Sequence, residues 1–284
     1  MTTRRADPEK EEARSRFHDA SPPQATSPFE IICEIEAATK PNFDVIHEQV
    51  ATMAEVASSF LVPDNHLGRA TISSLAVARE ISLAGAQPIV CLNSRDRNRL
   101  GFQRDLLTAA AYGIERLLLV YGDRGPADLP SGLNVQRMLE ELRGFGASSR
   151  FDGHRFRVGV TTRLTPVPSW KLEADSLFVQ ASFNPQALLD WRAATKFDGP
   201  VYAGVIVLTS EQMAKGLMAA TGQIVVPPDL LRRLRQNPMA GVDVACELIA
   251  QIKGSRAFDG VHLTPVTRSR EVAARLRSKD GPAR

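Results

Sequence analysis

The sequence predicts an α/β fold, a single-domain (β/α)8 barrel of the TIM type, on three observations. Short β-rich runs alternate strictly with helical patterns over about 250 residues, which is the signature of a parallel sheet. About eight such units occur, the number a closed barrel requires. No G-x-G-x-x-G follows the first run; the one Gly-x-Gly, Gly144 to Gly146, follows a helix, so the open dinucleotide-binding sheet is the weaker alternative.

Residues 1–27, rich in Arg, Glu, Ser and Pro without apolar periodicity, are expected to be a flexible arm. The barrel then occupies 28–277, and 278–284 form a tail. The strand candidates are, in order, Phe29–Ala37, Phe60–Asn65, Pro88–Ser94, Arg116–Asp123, Phe156–Arg163, Ser176–Phe183, Pro200–Leu208 and Gly260–Val266. Segments rich in helix formers with apolar periodicity separate them: Ile72–Ala84, Arg99–Tyr112, Val135–Arg143, Pro185–Ala194 and Met239–Ile252.

Composition removes several function classes. With 43% hydrophobic and 24% charged residues, the 284-residue chain is suited to burying a full core. No apolar run approaches the roughly 20 residues that span a bilayer, and no secretory-type apolar segment precedes Pro28, so a cytoplasmic location is expected. Cys33, Cys91 and Cys246 are widely spaced, which suggests neither a disulfide framework nor a thiolate metal site, and each is expected to be a small buried hydrophobe. The formal charge of +3 is thinly spread, and the basic runs Arg95–Arg99 and Arg232–Arg235 read as solvated helix faces, so nucleic acid is not an expected partner. The five histidines show no paired metal-ligand spacing, and no G-x-S-x-G nucleophile is present.

Barrel active sites sit at the C-terminal ends of the strands, and those ends are polar here. The first strand places Glu30, Glu34 and Glu36 on one parity and Ile31, Cys33 and Ile35 on the other, so the carboxylates are expected to face the interior. An unpaired ionised carboxylate there costs several kcal/mol, so these glutamates either serve chemistry or are satisfied by barrel arginines or the rim, the second reading weighing more for Glu30, near the strand start, than for Glu34. Later strands end in Asp64-Asn65, Asn93 to Asp96, Gly122-Asp123, Thr161 to Arg163 and Gln180, a set suited to a polar, hydrogen-bonding heterocycle.

Those residues carry a resemblance. The stretches Asp64 to Ala70, Ser73 to Ala76, Arg95 to Leu100 and Gly122-Asp123, followed by Phe178-Val179-Gln180 and Asp259 to Leu263, are similar in order and spacing to the 5,10-methylenetetrahydrofolate reductase family. The resemblance covers about Glu30 to Val266. It implies an oxidoreductase of one-carbon metabolism that passes a hydride from NAD(P)H, through bound FAD, to methylenetetrahydrofolate.

The resemblance also assigns roles. Glu34 matches the family's catalytic acid, with Glu36 in reserve because the two prolines that follow the acid in relatives are missing. Asp123 and Gln180 match the folate contacts. The positions on the flavin side are Asn65, Cys91, Asn93, Tyr121, Gly122, Thr161, Arg163 and Lys171. Relatives commonly have His-Leu-Thr where this chain has Cys91-Leu92-Asn93, arginine or threonine in place of Tyr121, and an Ala-Ala-containing strand in place of Thr161-Thr162-Arg163. The folate half of the pattern is thus kept and the FAD half altered. FAD is expected on family grounds, while direct transfer from the nicotinamide and a different flavin-type carrier stay open. Two other classes compete: a barrel that binds tetrahydrofolate or a methyl carrier after losing the redox step, and a methyltransferase needing a corrinoid or zinc partner. A homo-oligomer is compatible with all of these.

Overall fold

The computed structural model describes residues 28–280, apart from 37, 66–67, 123–131, 147, 152 and 223. The expectations for the arm at 1–27, for Asp123 and for the last four residues therefore lie outside the described residues.

Eight parallel strands close into a barrel in chain order: β1 (Glu30–Glu34), β2 (Ser59–Val62), β3 (Gln87–Asn93), β4 (Arg116–Val120), β5 (Arg157–Thr162), β6 (Ser176–Val179), β7 (Val201–Ile206) and β8 (Gly260–Thr264). Every strand lies within a residue or so of its expected start, while most stop earlier than expected because the polar residues beyond them belong to loops. The helices are α1 (Asp44–Met53), α2 (Ser74–Leu83), α3 (Arg99–Ala111), α4 (Val135–Gly146), α5 (Pro185–Ala194), α6 (Glu211–Thr221), α7 (Pro228–Gln236), α8 (Ala240–Ser255) and α9 (Ser269–Asp280).

Local chemistry explains the starts. Asn98, Asn184 and Ser210 each accept a hydrogen bond from the amide three residues on, capping α3, α5 and α6, and Pro185 occupies the first turn of α5. Helix α4 buries Val135, Met138, Leu139 and Leu142, the i, i+3, i+4, i+7 stripe of a helix lying on a sheet.

Strand alternation sorts the core into two layers. Cys33, Phe60, Val90, Leu92, Leu117, Val158, Leu177, Val201 and Leu263 point outward under the helices, and Ile32, Leu61, Ile89, Cys91, Leu118, Phe178 and Tyr202 fill the barrel. At the seam that closes the barrel, a Cβ on Gly260 would stand 2.1 Å from the Glu30 carbonyl oxygen, so only glycine lets β8 approach β1.

The interior floor at the N-terminal end is polar. Arg116 donates to Glu30 at 2.6 and 3.1 Å and to the Tyr202 hydroxyl at 3.3 Å, and the Ser59 hydroxyl donates to Glu30 at 2.6 Å. Glu30 is therefore an arginine-satisfied carboxylate, the alternative that its place at the strand start favours more than Glu34's place does. Burial pushes its carboxyl up, but Arg116, Ser59 and Tyr202 together outweigh burial and hold it below the ordinary value. A lowered carboxylate contributes stability above its unfolded value and loses it as pH falls through its folded value. Denaturant melts of wild type and Glu30→Gln should therefore differ at pH 7 and converge as acid is added. A constant gap across that range contradicts the assignment.

Two features depart from the expected alternation. After β7 the chain makes α6 and α7 before the expected helix α8, and these two build a separate apolar cluster of Leu208, Ala214, Ile224, Val226, Leu230 and Leu234. Ala181 and Phe183, just past β6, pack against it. The final helix α9 also runs to Asp280, three residues past the expected end of the barrel at 277.

Candidate functional site

The C-terminal ends of the strands form a mouth, and Glu34 stands in it. It is the last residue of β1 and faces inward, on the parity of Ile32. Its carboxylate Oε2 lies 2.9 Å from Nε2 of His262 on β8, and each side chain keeps 18% exposure. The contact is close but not aligned along the ring N–H direction, so it falls short of a hydrogen bond. His262 packs its ring edgewise against Phe178, centroids 6.0 Å apart.

Glutamine at position 49, on α1, fixes how Glu34 is presented. Its amide nitrogen donates to the Glu34 carbonyl at 3.1 Å, and its carbonyl accepts the Glu36 amide at 2.8 Å. This buried side chain bridges the backbone where β1 ends, so the strand leaves the barrel with Glu34 inside and Glu36 exposed. Of the two candidate acids, Glu34 is the one within the mouth.

Cys91 fills the barrel interior within reach of that carboxylate's charge. Burial, and then the charge of Glu34, raise its thiol well above the ordinary value, so it stays neutral. Cys33, Cys91 and Cys246 are all buried and none forms a disulfide, as expected of small hydrophobes.

The loops after β2 and β3 are locked by a polar clamp built around the buried Asn93. The Asn93 amide donates to Asp64 at 2.8 Å and to Asp96 at 2.9 Å, while its carbonyl accepts the Asp96 amide N–H at 2.9 Å. Arg97 pairs with Asp64 and, at 2.8 Å, with Asp105. Asn65, at φ +49°, donates to Asp96 at 2.9 Å and accepts from the Thr71 amide at 3.3 Å. The run Arg95–Arg99 is thus not a solvated helix face. It is largely the β3–α3 loop, with Arg97 buried between two carboxylates and Arg95 donating to the Gly122 carbonyl at 3.0 Å. The second run, Arg232–Arg235, does lie on a helix, where Arg232 and Arg235 are exposed and paired with Asp229 and Glu211.

The remaining candidates line other arcs of the rim. Tyr121 is exposed just past β4. Gly122 adopts φ +82°, and a Cβ there would stand 3.0 Å from Asn93, so glycine meets both a left-handed backbone and a close approach. Thr161 faces inward on β5, and its carbonyl accepts a 2.7 Å hydrogen bond from Lys171, on a 3-10 turn at Ser169–Glu173. Burial, and then the charge of Arg163, lower the Lys171 ammonium below its usual value. Arg163 itself is exposed. Gln180 continues the inward parity of Phe178, and its backbone N–H donates to the Thr162 carbonyl at 2.9 Å. No hydrogen bond within the described residues engages its side chain.

Sequence reasoning missed His262 and Gln49. The signal for His262 was the alternation of β8, where Gly260, His262 and Thr264 share the inward parity against Val261 and Leu263. Among the described residues, no three His, Cys, Asp or Glu side chains gather as a metal site, and no helix is long and apolar enough to cross a membrane.

No family model matches the chain, and no curated protein matches its sequence. Solved structures do. A protein from Clostridium thermocellum, described as binding two copies of 5-methyl-5,6,7,8-tetrahydrofolic acid, is similar at a TM-score of 0.60 and 12% identity, over 96% of this chain and all of that one (100%). EDTA monooxygenase from Chelativorans sp. BNC1 is similar at 0.52 and 10% identity, over 89% of this chain and 94% of its own. At these identities the likeness establishes the fold alone.

Proposed function

We propose that the chain binds a tetrahydrofolate derivative at its C-terminal mouth and interconverts the methylene and methyl forms, with a nicotinamide as hydride source and Glu34 as general acid. The observation that carries the reading is one inward glutamate at the end of β1, held by Gln49 and set against His262. The folate-binding description of the Clostridium thermocellum protein, similar over 96% of this chain and 100% of that one, supports the substrate class.

Reduction begins by opening the five-membered ring of methylenetetrahydrofolate. Glu34 gives its proton to the departing ring nitrogen, the carbon–nitrogen bond breaks towards that nitrogen, and the methylene carbon is left as an iminium. Hydride then adds to that carbon with its electron pair, so the nicotinamide is oxidised and the methylene becomes methyl. The pterin ring is held by hydrogen bonds, for which Gln180 offers both a donor and an acceptor and Asp123 is the second proposed contact.

Three of the eight residues that match flavin contacts, Asn65, Cys91 and Asn93, fit FAD poorly. Asn93 is fully buried and its amide is spent on Asp64 and Asp96, Asn65 is spent on Asp96 and Thr71, and Cys91 lies in the apolar interior. These contacts favour the nicotinamide as direct donor over a flavin relay. The competing reading is a barrel that binds folate without reducing it; oxidation of the nicotinamide that depends on methylenetetrahydrofolate separates the two.

Calorimetry tests the binding half. Gln180→Ala should weaken methyltetrahydrofolate by about 1–3 kcal/mol, the cost of unpairing buried hydrogen-bonding groups. Unchanged affinity removes Gln180 from the site.

A further inference from the structure

We infer that His262 reloads Glu34 with the proton that each reductive turnover consumes, which makes it a positioning residue acting through Glu34 rather than on the folate. The inference rests on the acid role given to Glu34 above. Reduction of the methylene group uses one hydride and one proton, so Glu34 ends every cycle as a carboxylate and must be reprotonated before the next.

The geometry supplies a route. Nε2 of His262 is sealed from solvent and lies 2.9 Å from Glu34 Oε2, while the side chain as a whole keeps 18% exposure. Nε2 therefore faces the carboxylate while the side chain still reaches water elsewhere. Imidazole takes a proton at one nitrogen and releases one at the other, so the ring can pass a proton inward without leaving its place. The misaligned 2.9 Å contact needs only a small ring rotation to become a hydrogen bond. Phe178 limits that motion on one side. The neighbouring groups are unsuited to the role, since Cys91 is held neutral by burial, and Asp64 and Arg97 are bound to each other in the loop clamp. A folate seated over the mouth would cover the direct approach of water to Glu34, and β8 holds His262 opposite Ile32, one inward position deeper than Glu34, so the reloading step falls between turnovers, when the mouth is open.

The proton balance is simple. Water gives a proton to His262, His262 gives one to the Glu34 carboxylate, and Glu34 gives one to the ring nitrogen.

Steady-state turnover of His262→Ala and His262→Gln with methylenetetrahydrofolate and NADH, with and without imidazole in the assay, tests the inference. Both variants should lose about 10²-fold in kcat, with the KM for folate within about twofold of wild type. Imidazole should restore much of the loss in His262→Ala, where it can occupy the vacated space, and none in His262→Gln. Wild-type kcat in either variant, a loss confined to KM, or a loss in His262→Ala that imidazole leaves unchanged overturns the inference. If His262→Ala fails to fold, the kcat and KM of His262→Gln decide it. Glu34→Gln run alongside separates the two proposals: if it too turns over normally, the acid role of Glu34 fails, and if it is inactive while the His262 variants are fully active, only the reloading role fails.

Discussion

Glu34→Gln should reduce folate turnover by roughly 10²–10⁴-fold, the contribution of a placed general acid, while leaving the fold intact. The amide keeps the shape of the side chain and its capacity to hydrogen-bond, and loses only the transferable proton. Glu36→Gln is the control, because Glu36 is exposed beyond the end of β1 and its backbone, not its side chain, is what Gln49 holds. Stopped-flow absorbance at the reduced nicotinamide band measures both variants. A dead Glu36→Gln beside an active Glu34→Gln places the acid one inward position further along, and two active variants remove the acid mechanism.

Arg97→Met should destabilise the protein by about 3–5 kcal/mol, because it leaves Asp64, whose side chain is only 6% exposed, without its cation and Asp105 with Arg104 alone. For a domain of this size each kcal/mol is worth about 2–4 °C in Tm, so a fall of roughly 6–20 °C is expected by calorimetry. Arg99→Met is the comparison: its 2.8 Å pair with Glu141 is solvent-exposed on the arginine side and should contribute about 0–1 kcal/mol. Similar Tm values for the two variants would mean that the clamp does not hold the loops. Folate binding should also weaken in Arg97→Met, since the loops after β2 and β3 form part of the rim.

The barrel was legible because its signal is repeated. Each strand is an aliphatic run bounded by polar residues, and Pro185, Gly260 and the capping asparagines mark boundaries that backbone chemistry enforces. Helices α6 and α7 were not legible, because three helices in succession break the alternation the reading relied on, and α7 buries only Leu230 and Leu234 among its arginines. Helix α1 buries Ile46, Val50 and Met53 at helical spacing, but the fourth member of its stripe is Gln49, whose polar side chain hides the pattern until its two backbone partners are seen.

The site divides in the same way. Parity along β1 placed Glu34 inside, because a period of two leaves only two choices per strand. Which neighbour an amide will bind is not a periodic property. Asn65 and Asn93 were legible as polar strand ends, yet their engagement with Asp96 and Asp64 depends on how two loops meet, as does the burial of Arg97. Likewise the pairing of Glu34 with His262 joins residues at opposite ends of the chain, brought together only when β8 closes against β1.

The most direct test of the central claim is mass spectrometry of the folate product after incubation with methylenetetrahydrofolate and NADH, or NADPH, carrying deuterium at the transferable position, with no flavin added. The account requires methyltetrahydrofolate whose methyl group holds one deuterium from the nicotinamide. Deuterium-free product would contradict direct transfer and restore a carrier that exchanges with water. No methyltetrahydrofolate from either nicotinamide, from a protein that binds the folate, would contradict the reductase reading and leave a binding barrel.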